Sequence, residues 1–363
     1  MPLIFDAHLD LSLNALHLNR DLKLKLDELN SREKGMTDLH CRGHAVLTMP
    51  EMQEADVGMC LATVLARCNP KLAPTSGFNR AALDYASQEI AGSVAFGQAS
   101  YYTYLEDSGH LRMIRTKVDL RQHWNEWVNS GNDRPPVGYI LAMEGSDPIA
   151  DVDQVEEWYA TGLRVASLTH YGNSAYAGGT GTSDGLTERG KELLKRFETS
   201  GIILDLSHLS DQSFDEALAG YSGPVLASHN NCRALVPGVR QFTDDQILRI
   251  AERAGVIGMS FDAWMLAKGW VHGKGDPETL PLSAVADHID HICQLTGSLE
   301  HVALGTDLDG GYGNEQTPRE IRRYRDVQSL ASLLAERNYR PEDIDRIFHG
   351  NWLTFFGRHL PKG

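Results

Sequence analysis

Eight short apolar runs recur along the chain, each leading to a polar residue capable of metal or proton chemistry and followed by a longer amphipathic stretch. They are LIFDAHLD (3–10), VGMCLATVLAR (57–67), VGYILAMEG (137–145), LRVASLTH (163–170), GIILDLSH (201–208), PVLASHN (224–230), GVIGMSFD (255–262) and HVALGTDLD (301–309). Several are nearly continuous in apolar and small residues, the pattern of parallel strands covered on both faces. The stretches between them carry helical signals. Val152, Val155, Trp158 and Tyr159 follow a helical period, as do Leu193, Leu194 and Phe197. Ser210 is placed to cap a helix containing Phe214, Ala217 and Leu218. Thr243 and Gln246 form a capping box ahead of Ile247, Ile250 and Ala251. This alternation predicts an α/β protein, a single (β/α)8 TIM barrel domain over residues 1–363. A doubly wound open sheet is the competing architecture, but no G-x-G-x-x-G turn follows the first run. Two connections are long enough to be loop insertions, residues 68–136 and 263–300. Such segments cover the active face or decorate the exterior.

Composition narrows the classes of partner. With 42% hydrophobic and 23% charged residues, the chain can build a large core and does not read as disordered. A formal net charge of −15 argues against nucleic acid or an anionic membrane as partner. The five cysteines, Cys41, Cys60, Cys68, Cys232 and Cys293, include no C-x-x-C pair, so neither a disulfide framework nor a cysteine zinc site is expected. The opening MPLIFDAHLD reads as a strand and not as a signal peptide, and no stretch has the length of a membrane span. The expectation is a cytoplasmic protein.

The chemistry is concentrated at the C-terminal ends of the strand runs. His8 and Asp10 lie on the first, Glu144 on the third, His170 on the fourth, His208 on the fifth, His229 on the sixth and Asp307 on the eighth. In a barrel these ends converge on one face, where catalytic residues collect. His110, His123, His288, His291 and His359 lie off this phase and are assigned to packing or surface roles. His8 and Asp10 are two apart on a strand and share a face, so an imidazole and a carboxylate can bind one ion. Each signal alone is weak, because a strand-end histidine or a paired carboxylate is common; five together favour metal binding. His8 with Asp10 is too small a set for a catalytic zinc, and so is His208 with His229. Glu144 between the pairs would bridge two ions about 3.5–4 Å apart, which can activate a shared water.

At these residues the sequence resembles the membrane (renal-type) dipeptidase family, peptidase family M19, within the amidohydrolase superfamily. The resemblance runs over most of the chain and is carried by DAHLD, AMEGSDPI, GLRVASLTHYGNSAY, GIILDLSHLS, PVLASHNNCRAL, GTDLDGG and GNWLTFF. It implies a binuclear zinc hydrolase, with other divalent metals able to occupy such a site. By position, His8, Asp10 and Glu144 would hold one zinc, and Glu144, His208 and His229 the other. His170 would bind the substrate carbonyl, Arg240 the terminal carboxylate with Arg233 as the alternative, and Asp307 would transfer the proton. Asp309 is assigned a supporting or turn role. The chain shows neither the leader nor the anchor of the membrane-attached members, like the bacterial soluble relatives. GMSFDAWML and residues 19–54 depart from the family pattern, so side-chain specificity does not carry over.

The expected reaction is hydrolysis of a small dipeptide, with a hydroxide shared by the metals attacking the peptide carbonyl. Tolerance of a D-residue at the C-terminal position, and a homodimer, are further implications of the resemblance. The competing readings are lactonase, deaminase or phosphoesterase activity on the same centre, since fold does not fix function, and a metal-binding protein without catalysis.

Overall fold

The computed structural model describes residues 1–72, 77, 82–131 and 133–363. Parts of the 68–136 insertion, residues 73–76, 78–81 and 132, therefore lie outside the described residues. Eight parallel strands correspond to the eight runs: β1 (Ile4–Leu9), β2 (Val57–Val64), β3 (Val137–Met143), β4 (Leu163–Ser167), β5 (Ile203–Asp205), β6 (Val225–Leu226), β7 (Ile257–Met259) and β8 (Val302–Leu304). The first six form one continuous sheet in chain order, and β7 pairs with β8. A parallel bridge between Ala227 and Ile257 links β6 to β7. The ring closes where Asp6 of β1 accepts hydrogen bonds from the Thr306 amide (2.8 Å) and hydroxyl (2.6 Å), and Asp307 N–H reaches the His8 carbonyl (3.3 Å). The fold is thus the barrel that the alternation predicted.

The strands end earlier than the apolar runs do. His8 lies inside β1, but the other candidate site residues lie just past the ladder, where the backbone is free to turn side chains toward the barrel mouth. His208 and Asp307 take left-handed φ values of 67° and 59°, uncommon for residues with a side chain. Strain of this kind persists where surrounding packing over-determines it, and it clusters at functional sites.

Two glycines set the spacing of the closing strands. A Cβ on Gly258 would stand 2.0 Å from the Ser228 carbonyl oxygen, and one on Gly305 would stand 1.8 Å from it. Both contacts are with backbone, which cannot swing away, so β6, β7 and β8 approach this closely only because neither residue has a side chain. Apolar residues of alternate strand positions, among them Phe5, Met59, Ile140, Val165, Ile203 and Leu226, fill the interior and meet Trp352, Phe355 and Phe356 of the C-terminal helix Asn351–His359.

Helices complete the outer layer, and their starts follow the expected chemistry. The Ser210 side chain caps helix Asp211–Gly220, and Thr243 with Gln246 forms a reciprocal capping box at helix Asp244–Glu252. The 68–136 segment divides into helix Gln88–Asp107, a short strand Leu111–Met113 paired with the lower half of β3, and helix Lys117–Asn129. Much of it therefore decorates the barrel. In the 263–300 segment, Trp264, Met265 and His272 reach the barrel mouth, whereas helix Ser283–Thr296 buries Val285, Ile289 and Ile292 in the core. All five cysteines are free, and no described helix is long and apolar enough to cross a membrane.

Candidate metal centre

The ends of β1, β3, β4, β5, β6 and β8 bring His8, Asp10, Glu144, His170, His208, His229 and Asp307 around one cavity of about 470 Å³. Glu144 stands in the middle. Its Oε2 lies 3.6 Å from His8 Nε2; its Oε1 lies 3.1 Å from His208 Nε2, 3.3 Å from His229 Nε2 and 3.6 Å from His170 Nε2. His8 Nε2 is also 3.7 Å from Asp10 Oδ1 and 3.9 Å from Asp307 Oδ1. Among the described residues, three groups have ligand atoms within 4.8 Å of one another: His8 with Glu144 and His229, Glu144 with His170 and His208, and His8 with Asp10 and Asp307. These are not the two sets inferred from strand order, but Glu144 again joins the two sides.

The donor set fits divalent cations. His8 Nε2 is buried with no hydrogen-bond partner. His208 Nε2 faces His229 Nε2 at 3.0 Å, and both also face the same carboxylate oxygen. Protons on both nitrogens would clash across that gap, whereas lone pairs directed at a cation would be satisfied. Imidazole nitrogen and carboxylate oxygen together suit zinc and its neighbours.

The opposite ring nitrogens decide which lone pairs are free. Thr180 Oγ1 lies 3.2 Å from His208 Nδ1, and Ser228 Oγ lies 2.8 Å from His229 Nδ1 and 3.3 Å from His8 Nδ1. Hydroxyl oxygens can accept from Nδ1–H and leave each Nε2 as a donor to metal. Thr63 Oγ1 donates to Asp10 Oδ1 in the same supporting layer. His170 differs. Arg67, a permanent cation, donates from Nη1 to His170 Nδ1 at 3.2 Å, so the ring proton sits on Nε2, toward Glu144. Arg67 is itself aligned by Asp84, through Nε to Oδ1 (3.1 Å) and Nη2 to Oδ2 (2.7 Å). His170 is thereby set up as a hydrogen-bond donor rather than a metal ligand.

The charge environment divides the histidines differently, setting His8 apart from the other three. Burial holds the His170, His208 and His229 imidazoles well below the ordinary histidine range; Arg67 and Arg240 add to this at His170, Arg240 at His208, and His8 and Arg240 at His229. Neutral imidazole is the form that binds metal. Burial also depresses His8, but the Glu144 and Asp10 carboxylates outweigh it and hold the ring well above its usual value. Burial raises Glu144, opposed by His8 and reinforced by Asp10. Asp307 is pushed well above the carboxylate range by burial, which His8 opposes and Asp10 and Glu144 reinforce.

Arg240 lines the same cavity and is buried there. Its Nη2 donates to the His229 carbonyl at 2.8 Å, and its Nη1 donates to Asn230 Oδ1. Arg233, the alternative clamp, points elsewhere. It forms a fork with Asp211 (2.7 and 2.8 Å) at the protein surface, which removes it from the cavity. Asp309 accepts the Val46 and Leu47 amides at 2.9–3.1 Å and lies 3.8 Å from Arg20. It fastens the loop after β1 to the end of β8 and does not line the cavity. Sequence reasoning missed Thr63, Arg67, Thr180, Ser228 and Asp262. Of these only Asp262, which ends a strand run as the expected site residues do, carried a usable signal.

A profile of the family described as membrane dipeptidase (peptidase family M19) matches residues 1–358. The chain belongs to that family. Membership places it among metal-dependent hydrolases of peptide bonds. The solved dipeptidase AC, a metallopeptidase of family M19, is 25% identical with a TM-score of 0.80, and the match covers 99% of each chain. A metallopeptidase from Rhodobacter sphaeroides, solved with a phosphinate mimic of the dipeptide L-Ala-D-Ala, shares the fold at TM-score 0.78 and 24% identity, again over 99% of each chain. Among sequence relatives, dipeptidase tcpJ of Claviceps purpurea is 31% identical over 218 residues, 58% of this M19 chain and 48% of the fungal protein. The match thus spans about half of that relative's length.

Proposed function

We propose that this chain is a dipeptidase working with two divalent ions, zinc in the first instance, held by His8, Asp10, Glu144, His208 and His229. The observation that carries this reading is the position of Glu144, whose two oxygens face His8 on one side and the His208–His229 pair on the other. Bound there, two cations would activate a water and polarise the peptide carbonyl.

The remaining steps belong to the side chains. Arg240, anchored through His229 and Asn230, pairs with the substrate's terminal carboxylate. The His170 Nε2–H donates to the carbonyl oxygen as negative charge develops on it. Asp307, 3.9 Å from His8 Nε2 at the cavity, takes the proton of the attacking water and returns it to the leaving amine. A D-residue at the C-terminal position is accepted in this reading. The test is metal analysis combined with a chiral dipeptide library on one preparation. Two ions per chain, turnover of free dipeptides and loss of turnover on amidation of the C-terminal carboxylate are expected. Metal without dipeptide turnover, or equal turnover of amidated substrates, would refute the assignment.

Arg67 acts one step removed. Without its donated hydrogen bond, His170 can hold its proton on Nδ1 and present a lone pair to the substrate oxygen. The Arg67→Met variant is expected to lose about 10²-fold in kcat, with KM changed far less. A fall confined to KM would show that Arg67 serves binding alone.

A further inference from the structure

The cavity has two unlike walls. Leu13, Leu18, Leu39, Leu65 and Leu83, from the segments after β1 and β2, form an apolar wall. Across the mouth, the segments after β6 and β7 supply Arg240 and Asp262. Asp262 is buried to 5% exposure, yet it belongs to the cavity lining. Its Oδ1 accepts from Gln316 Nε2 at 2.8 Å and from the Trp264 amide at 3.3 Å, which fixes the carboxylate plane. Its Oδ2 takes part in no hydrogen bond or ion pair among the described residues, and it is not among the fully enclosed polar atoms without a partner. An oriented carboxylate with one free oxygen on a cavity wall is a receptor for a cation or a strong donor.

Its place around the ring says which part of a substrate it meets. Asp262 shares the cavity with Arg240 and feels its charge, so a residue whose carboxylate Arg240 held would have Asp262 near its side chain. The leucines would then be left to the amino-terminal residue. We propose that Asp262 selects dipeptides whose C-terminal residue carries a cationic side chain, with an apolar residue preceding it. This inference rests on the dipeptidase reading and names its substrate class. Burial pushes the Asp262 carboxyl up to about 7, against the pull of the Gln316 and Trp264 hydrogen bonds and of the nearby Arg240 charge.

The experiment compares leucyl-lysine with leucyl-norleucine, which differ in the terminal ammonium, on the metal-loaded wild type and on Asp262→Asn. Asparagine keeps the oxygen that Gln316 and the Trp264 amide bind. The readout is the ratio of kcat/KM between the two substrates within each protein, so a general loss of activity cancels. The ratio is expected to favour lysine by about tenfold or more in the wild type and to collapse toward one in the variant. A wild-type ratio near one, or a ratio that Asp262→Asn leaves unchanged, overturns the proposal while dipeptide turnover sustains the underlying reading. An unchanged ratio with both substrates impaired would place Asp262 on the backbone or α-ammonium instead. Turnover of neither substrate, nor of any other dipeptide, overturns both.

Discussion

The Glu144→Gln protein is expected to purify without stoichiometric metal and to lose about 10⁴-fold in kcat/KM, about 5.5 kcal/mol at 1.36 kcal/mol per decade. The reason is geometric. One carboxylate faces four imidazole nitrogens, so replacing an oxygen with an amide nitrogen spoils the ligand set on one side and removes the negative charge from both. Unfolding is not the expected cause. Glu144 is a carboxylate whose burial raises its pKa, and in the metal-free protein a neutral amide relieves that desolvation. Thermal unfolding of the two metal-free proteins therefore separates the explanations: the variant should melt no lower than the wild type. Retention of two ions and near-normal turnover would remove Glu144 from the centre.

Asp307→Asn is expected to keep its metal and lose about 10²–10⁴-fold in kcat, the usual contribution of a positioned acid–base group. The substitution is a clean one at this position. Asp307 holds a left-handed φ of 59°, and asparagine tolerates that region as well as aspartate does. The backbone, and with it the Asp307 N–H bond to the His8 carbonyl that helps close the barrel, should survive. Lost activity would then report on proton transfer. Full activity with metal bound would pass the proton's route to another group.

The two variants fail differently because their residues reach the centre differently. In the proposed reading Glu144 acts through its approach to four rings, so its loss would be read in metal content. Asp307 lies 3.9 Å from His8 Nε2, and its side chain makes no hydrogen bond among the described residues, so its loss is read in turnover alone.

Much of the site was legible along the chain. Strand periodicity puts His8 and Asp10 on one face, and the recurrence of a histidine or carboxylate at strand ends marks the mouth of the barrel. These signals are local: they depend on spacing within a run and on the rule that strand ends converge. The hydrogen-bond partners of the candidate ligands were not legible. Thr63 meets Asp10 across 53 positions, Arg67 meets His170 across 103, and Ser228 meets His8 across 220. A serine, threonine or arginine has so many ordinary uses that residue type carries no information until closure of the ring brings it within hydrogen-bond distance. Arg233 and Arg240 show the same limit. They lie seven positions apart and are chemically identical, yet one is drawn to Asp211 at the surface and the other is buried beside His229.

Residue order alone therefore specified the alternation that makes a barrel and the side chains able to hold cations, because apolar period and strand-end position are written locally. Folding in three dimensions assigned the roles: which nitrogen of each imidazole carries the proton, which arginine faces the cavity, and which carboxylate keeps a free oxygen. Those choices follow from hydrogen bonds and burial between residues distant in sequence, and such contacts exist only once the eight strands have closed.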